Sequence, residues 1–164
     1  MNIYVINGPN INLLGTREPE IYGNETLETI AENCQKQASK AGHVVQFMQS
    51  NYEGKLVEYI QDAIKNAIDV IIINAAAYTH TSIAIHDALK SYSGFKIELH
   101  ISNPHIRESF RHETFVAPAA DAVVAGLGAD GYGHVIGLLT DLQKHYMQKN
   151  NPSISSEKLS RIRK

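Results

Sequence analysis

A long polar loop follows the first apolar run of the sequence and carries side chains that could bind or orient a ligand. Residues 7–23 include Asn10 and Asn12, which can orient a water molecule or a carbonyl, followed by Arg17 and Tyr22. Loops of this length inside a compact domain are uncommon and are typical of lids and binding loops. Taken alone, the segment also allows a structural interpretation, in which Arg17 pairs with a neighbouring glutamate and Tyr22 packs on the body.

Two further loops combine amides, imidazoles and a carboxylate. The third apolar run ends at Asn74 and leads through small residues to His80, and the fourth run carries Glu98 and His100. Strand alternation places Glu98 and His100 on one face, where the carboxylate can fix the tautomer and position of an imidazole acid or base. For Asn74 and His80, strand capping and surface exposure are the alternative interpretations.

The segment after His100 has the features of an anion site rather than of a metal site. The backbone around Ile101, Ser102 and Asn103 could form an anion-binding nest, and Arg111 could meet a carboxylate or hydroxyls with its planar fork. Five of the eight histidines lie between positions 80 and 112, but none of them belongs to a ligand set with metal spacing such as His-Glu-x-x-His. We therefore predict that no metal is bound.

The glycine-rich segment 126–133 contains the Gly-x-Gly-x-x-Gly pattern of nucleotide-binding turns. The pattern follows the fifth apolar run rather than the first. In addition, no acidic residue ends a later strand about 20 residues on, where a ribose would need one. We expect these glycines to serve close helix–strand packing.

Five apolar runs of strand length alternate with segments of helical period and must position these loops. The runs are 3–6, 44–48, 70–73, 95–99 and 122–125, and the helical segments are about 26–41, 54–66, 81–91 and 131–149. The run 70–73 has no polar alternation, as expected of a strand buried on both faces of a parallel sheet. We predict an α/β fold, namely a flavodoxin-like three-layer α/β/α sandwich with a five-stranded parallel sheet, and a ligand site beyond the carboxyl ends of the strands.

Length and charge set the remaining bounds. The chain of 164 residues suits one domain, which we place at 1–149, followed by a polar, basic tail at 150–164. The net charge of −2 gives no positive field that would hold nucleic acid. Cys34, the one cysteine, is expected to be a buried thiol, and no signal peptide or membrane span is recognisable. A cytoplasmic location follows as an expectation.

Three segments together resemble the type II 3-dehydroquinate dehydratases. They are INGPNINLLGTREP at 6–19, NAAAYTHTS at 74–82 and ELHISN at 98–103, and the similarity covers about residues 1–145. The resemblance implies a flavodoxin-like fold, no cofactor, and reversible anti elimination of water from 3-dehydroquinate to 3-dehydroshikimate through an enolate. Shikimate biosynthesis and quinate catabolism require the same reaction, so the sequence does not distinguish them.

The resemblance also implies a role for each matching position. Tyr22 becomes the base beside the ketone, Arg17 the group that activates it and stabilises developing charge, and His100 the acid for the departing hydroxyl. Asn12 falls near the enolate oxygen or its bridging water. The implied substrate contacts are Asn74, His80, Asp87, Ile101, Ser102 and Arg111.

The implied role of Tyr22 requires that its pKa be lowered. An ordinary tyrosine has a pKa near 10, so about one molecule in a thousand is ionised at pH 7. A cation about 4 Å away at an effective dielectric near 20 contributes roughly 4 kcal/mol, or about 3 pKa units, before burial opposes it. Arg17 is the nearest candidate for that cation in the sequence.

A homo-oligomer is implied as well, a dodecamer built from trimers in which Asp87 reaches the site of a neighbouring subunit.

Two positions depart from the family pattern. His86 stands where an arginine is expected beside Asp87, and Ala75-Ala76 stands where Pro-Gly is common. Both departures spare the implied acid and base.

Three alternatives, namely one other reaction mechanism and two kinds of binding module, fit the residues less well. An imine route would need a lysine, and none lies in the three loops. A receiver-like regulatory module would carry clustered acidic residues for Mg²⁺ at the strand ends, where this chain has Asn7, Asn74 and His100. A flavodoxin-like nucleotide binder would need a phosphate loop after the first strand, which the sequence lacks.

Overall fold

The computed structural model describes residues 1–16 and 25–150, which form five parallel strands alternating with four α-helices. The strands are β1 Asn2–Asn7, β2 Val44–Gln49, β3 Val70–Asn74, β4 Phe95–His100 and β5 Ala122–Ala125. The helices are α1 Leu27–Lys40, α2 Glu53–Lys65, α3 Ile83–Ser91 and α4 Asp130–Asn150. Each predicted element is present, with ends that differ from the prediction by two residues at most.

The strand order is β2-β1-β3-β4-β5, which is the flavodoxin-like order. The order reverses between β1 and β3, so the chain leaves these two neighbouring strands in opposite directions across the sheet. Their register sets Asn7 beside Asn74 at the carboxyl ends, and Ile73 pairs with Glu98 of β4. The fold prediction is confirmed, and the polar residues at the strand ends meet at one edge.

The central strand β3 explains why the 70–73 run lacks polar alternation. All five of its residues are buried, because helices cover both faces of the sheet. Val70 and Ile72 pack in the cluster that includes α1 and α4, whereas Ile71 and Ile73 pack in the cluster that includes α2 and α3. This alternation of neighbouring side chains between two cores is the period of an extended strand.

The helices begin at the caps that the sequence supplies. The hydroxyl of Thr26 accepts a hydrogen bond from the backbone N–H of Thr29 at the start of α1. Ser82 does the same for Ile85 at the start of α3. Cys34 on α1 is fully buried, and burial raises the pKa of its thiol to about 12, in agreement with the expected buried structural thiol.

The glycine-rich segment forms the turn from β5 into α4. Gly126 and Gly128 have φ angles of 82° and 64°, in the left-handed region that glycine adopts without strain. A Cβ on Gly133 would lie 2.9 Å from Nδ2 of Asn33 on α1. Close packing is therefore observed, but Gly133 serves the contact of α4 with α1 and not the predicted contact of a helix with a strand.

Of the helices within the described ranges, none is both long and apolar enough to cross a bilayer. Residues 151–164 lie outside the described residues, so the division of the chain into a domain at 1–149 and a tail stays a prediction.

Candidate active site

A cleft of about 720 Å³, part of it open to solvent, lies beyond the carboxyl ends of β1, β3 and β4. It sits beside the point where the strand order reverses, where ligands bind in open α/β sheets. Seven of the residues selected from the sequence line it: Asn10, Asn74, His80, His100, Ile101, Ser102 and Arg111. The topology thus brings together three loops that are far apart in the sequence.

The loop after β1 packs against the loop after β3 at the floor of this cleft. The N–H of Gly8 donates to the carbonyl of Asn74 over 2.8 Å, and a Cβ at Gly8 would lie 2.4 Å from the carbonyl oxygen of Ala75. Only glycine permits this approach. The contact fixes the start of the loop that leads to Arg17 and Tyr22, which themselves lie outside the described residues.

Asn12 lies next to the cleft on a short 3-10 helix, Ile11–Leu13. Its side chain is exposed, and its Oδ1 accepts a hydrogen bond of 3.3 Å from Nε2 of Gln49. The neighbouring Asn10 lines the cleft and adopts a left-handed φ of 67°. Asn12 is thus tethered by Gln49 at the edge of the cleft rather than in its lining.

His100 is held by a buried carboxylate. Its Nε2 lies 2.9 Å from Oε1 of Glu98, whose side chain is 0% exposed. Strand alternation predicts this contact, and the structure places it at the carboxyl end of β4. Because an ionised carboxylate only accepts, Nε2 carries the proton of this hydrogen bond, and Nδ1 is the nitrogen that can exchange a proton with a ligand.

Two threonines that sequence reasoning missed complete the surroundings of Glu98. The hydroxyls of Thr79 and Thr114 both donate to its Oε1, with 3.0 Å for Thr114. Thr114 Oγ1 also accepts from the backbone N–H groups of Val116 and Ala117, each at 3.0 Å. Both acceptor positions of the hydroxyl are therefore occupied, and its proton is donated to Oε1 of Glu98.

These donors decide the charge of Glu98. Burial alone raises the pKa of its carboxyl group, but the hydrogen bonds from His100, Thr79 and Thr114 outweigh burial and hold the pKa below the ordinary value. Glu98 is therefore ionised at neutral pH despite its burial. No single segment of the sequence signals the threonines, because Thr79 and Thr114 come from separate loops.

His80 and His86 anchor the segment that carries Thr114. His80 Nδ1 lies 2.6 Å from the carbonyl oxygen of Glu113, and His86 Nδ1 lies 2.7 Å from that of Phe115. A carbonyl only accepts, so in both rings Nδ1 bears the proton and Nε2 of the neutral ring is an acceptor. His86, where an arginine is expected, thus serves as a backbone tether.

Two arginines face the cleft near Ser102. Arg111 Nε lies 2.8 Å from Oε2 of Glu108, and the guanidinium stacks over the ring of Phe110 at 5.1 Å. Arg107 also lines the cleft, 3.5 Å from the hydroxyl of Ser102, and sequence reasoning missed it. Its spacing of four residues from Arg111 was the available signal.

Asp87 lies on the exposed side of α3 and is not among the residues that line the cleft of its own chain. Over residues 1–16 and 25–150, no three His, Cys, Asp or Glu side chains are grouped so that they could hold a metal ion.

The chain is similar to known proteins in sequence and in fold. Residues 1–140 match the family model for dehydroquinase class II. A 3-dehydroquinate dehydratase of Bartonella henselae is 54% identical over 132 residues, which are 80% of this chain and 88% of that protein. One from Bartonella bacilliformis is 50% identical over 153 residues, 93% of this chain and 96% of that protein.

Among solved structures, the type II dehydroquinase of Butyrivibrio crossotus superposes with a TM-score of 0.83. It is 46% identical, and the match covers 85% of this chain and 97% of that one. Sequence and fold therefore point to the same group of proteins.

Proposed function

The chain belongs to the class II dehydroquinase family, and we propose that it catalyses the reversible anti elimination of water from 3-dehydroquinate through an enolate, giving 3-dehydroshikimate. The observation that carries the proposal is the imidazole of His100, held in a cleft by the buried and ionised Glu98. An imidazole oriented in this way suits the protonation of a leaving hydroxyl.

The reaction divides into two proton transfers. Tyr22 removes the proton from the carbon beside the ketone, and the electron pair moves into the enolate, whose oxygen lies near Asn12 or a water molecule that Asn12 holds. As the enolate collapses, the carbon–oxygen bond breaks and the departing hydroxyl takes a proton from His100, which releases water. Arg17 stabilises the tyrosinate and the developing charge.

The acid form of His100 depends on Glu98. To donate from Nδ1 and keep the Nε2 hydrogen bond, the ring must carry protons on both nitrogens. The ionised carboxylate stabilises that cation in a site where little water competes. After donation, the neutral ring retains its Nε2 proton and its bond to Glu98.

Substrate binding is proposed at the remaining residues of the cleft. The substrate carboxylate meets the backbone of Ile101 and Ser102, and Arg111, Asn74 and His80 bind its oxygens. Support comes from the fixed backbone of this turn, in which the carbonyl of Ile101 accepts from the N–H of Gly128 over 3.0 Å. A rigid segment suits recognition of a small, highly polar substrate.

We also propose a homododecamer built from trimers, in which Asp87 serves the cleft of a neighbouring subunit. The exposed position of Asp87 on α3, outside its own cleft, supports this arrangement. A cytoplasmic location stays a prediction, and biosynthetic and catabolic use both remain compatible with the proposed reaction.

The experiment is an absorbance assay for the conjugated enone formed from 3-dehydroquinate. We expect turnover by the wild-type protein and a loss of at least about a thousandfold in kcat for Tyr22→Phe, because proton abstraction loses its base while the ring is retained. Borohydride added with substrate should not inactivate the protein. Absence of turnover would contradict the proposed function. Inactivation by borohydride would contradict the enolate mechanism and indicate an imine intermediate.

A further inference from the structure

The glycine-rich turn between β5 and α4 has no part in the proposed proton transfers, and it leads directly to a buried tyrosine. Tyr132 lies in the first turn of α4 and is 0% exposed. Its hydroxyl lies 2.6 Å from Oδ1 of Asn7 at the end of β1 and 2.8 Å from Nδ2 of Asn74 at the end of β3. The hydroxyl thus bridges the two strands at which the strand order reverses, directly beneath the cleft.

Asn7, Tyr132 and Asn74 form a series of hydrogen bonds, and backbone groups at both ends of the series determine which atom donates in each bond. The carbonyl of Met48 only accepts, so Asn7 must give it Nδ2, at 3.1 Å, and turn Oδ1 toward Tyr132. The phenol must then donate to Asn7, which leaves its oxygen as an acceptor for Nδ2 of Asn74. At the far end, the N–H of Ala76 only donates, and it meets Oδ1 of Asn74 at 3.2 Å.

The consequence concerns what Asn74 offers to a ligand. One N–H of its amide is bound to Tyr132, and Oδ1 is bound to the backbone of Ala76. Asn74 lines the cleft although it is only 3% exposed, so the amide cannot turn over without breaking buried hydrogen bonds. Within the described residues the second N–H of the amide has no protein partner, so this orientation of the amide offers the cleft a donor.

We propose that Tyr132 is a positioning residue that fixes the amide of Asn74 as a hydrogen-bond donor to an oxygen of the substrate. The inference rests on the proposed function and assigns a role to the glycine-rich turn. Gly126 and Gly128 allow the tight turn, and Gly133 lets α4 approach α1 closely enough to bring Tyr132 below the sheet edge. The turn thereby supports the site from beneath.

The test is a double-mutant cycle on kcat/KM with 3-dehydroquinate. Tyr132→Phe keeps the ring and removes the hydroxyl, and we expect kcat/KM to fall about tenfold, mainly through KM, because the Asn74 amide is no longer held. In an Asn74→Ala background the same change should alter kcat/KM by less than about twofold. Asn7→Leu, which removes the acceptor that directs the phenol, should cause a loss similar to that of Tyr132→Phe.

Tyr92→Phe is the matched control. Tyr92 is also buried, and its hydroxyl donates to a backbone carbonyl, that of Ile68 over 2.7 Å, before the start of β3. This end of the sheet is opposite the cleft. Tyr92→Phe should lower stability to a similar extent as Tyr132→Phe and leave kcat/KM unchanged.

Full kcat/KM in Tyr132→Phe, or a loss that persists in the Asn74→Ala background, would overturn the proposal. If the wild-type protein does not convert 3-dehydroquinate, the proposed function fails. The role of Tyr132 in holding the Asn74 amide is then tested by comparing ligand-free crystal structures of the wild type and of Tyr132→Phe. A displaced or reversed Asn74 amide in Tyr132→Phe would support the positioning role of Tyr132, and an unmoved amide would overturn it. If Tyr132→Phe does not fold, Asn7→Leu supplies both measurements.

Discussion

At the scale of single residues, the charge of Glu98 is set by three donors on one carboxylate oxygen. His100, Thr79 and Thr114 hold the pKa of this carboxyl group below its ordinary value although burial opposes them. A folded-state pKa below the unfolded value contributes stability that is present above the unfolded pKa and is lost as the pH falls through the folded one. Activity that depends on ionised Glu98 should be lost over the same acidic range.

Removal of the Thr114 hydroxyl should therefore move the acidic limb of the pH–rate profile to higher pH. Thr114→Val takes away one donor, the pKa of Glu98 rises, and kcat/KM should fall about three- to tenfold on the acidic side. The profile of kcat/KM against pH is the measurement. Thr114→Ser, which keeps the hydroxyl, is the control and should behave as the wild type, whereas a Thr114→Val profile of unchanged shape would contradict the role.

The residue scale also shows where prediction from sequence ends. Glu98 and His100 are two positions apart on one strand, so alternation alone predicts their contact. Thr79 and Thr114 are separated by 35 positions and meet at Glu98 only because the loop after β3 folds against the segment that follows β4. Such a contact depends on tertiary packing, which no local pattern encodes.

At the scale of elements, the 3-10 helix Ala76–His80 after β3 carries backbone strain. Ala76 has a φ of 52°, in the left-handed region where a Cβ costs about 1–2 kcal/mol, and it is the second of the two alanines that stand where Pro-Gly is common. The same residue donates its N–H to Asn74. The strain is therefore held next to the cleft by the contacts of this loop.

Ala76→Gly should raise the free energy of unfolding by about 0.5–1 kcal/mol, since relief of the left-handed strain exceeds the added entropy of the unfolded chain. Equilibrium denaturation measures the change. Ala77→Gly is the matched control in the same short helix, and without a positive φ to relieve it should lose about as much stability. A less stable Ala76→Gly would show that the left-handed φ carries no cost here.

Elements were the most predictable level. Apolar runs and helical periodicity located all nine β-strands and α-helices of the described ranges, because each of them packs apolar side chains in the core on one face or on both. The glycine-rich turn was predicted less well. Its close packing was expected against a strand, but Gly133 meets Asn33 on α1, a helix–helix contact that depends on how α4 crosses the sheet.

At the scale of the whole molecule, the strand order assembles the site from three distant loops. Its reversal between β1 and β3 opens the cleft, and the parallel register brings Asn7, Asn74 and His100 to one edge. The fold class follows from the alternation of strands and helices, and the site edge follows from the fold class. The contacts of Asp87 do not follow from the fold, because that residue is exposed on α3 and is not among the residues that line the cleft of its own chain.

Subunit mixing tests the proposed sharing of sites. If Tyr22 of one chain and Asp87 of a neighbour serve one site, inactive Tyr22→Phe subunits and impaired Asp87→Ala subunits complement each other. Random exchange of equal amounts would give both native groups in about one site in four, so activity should rise to roughly a quarter of that of the wild type. If Asp87 serves its own chain, every mixed site keeps one defect. Activity no higher than the average of the two parents, with exchange verified by mass, would therefore assign Asp87 to its own chain or to no site.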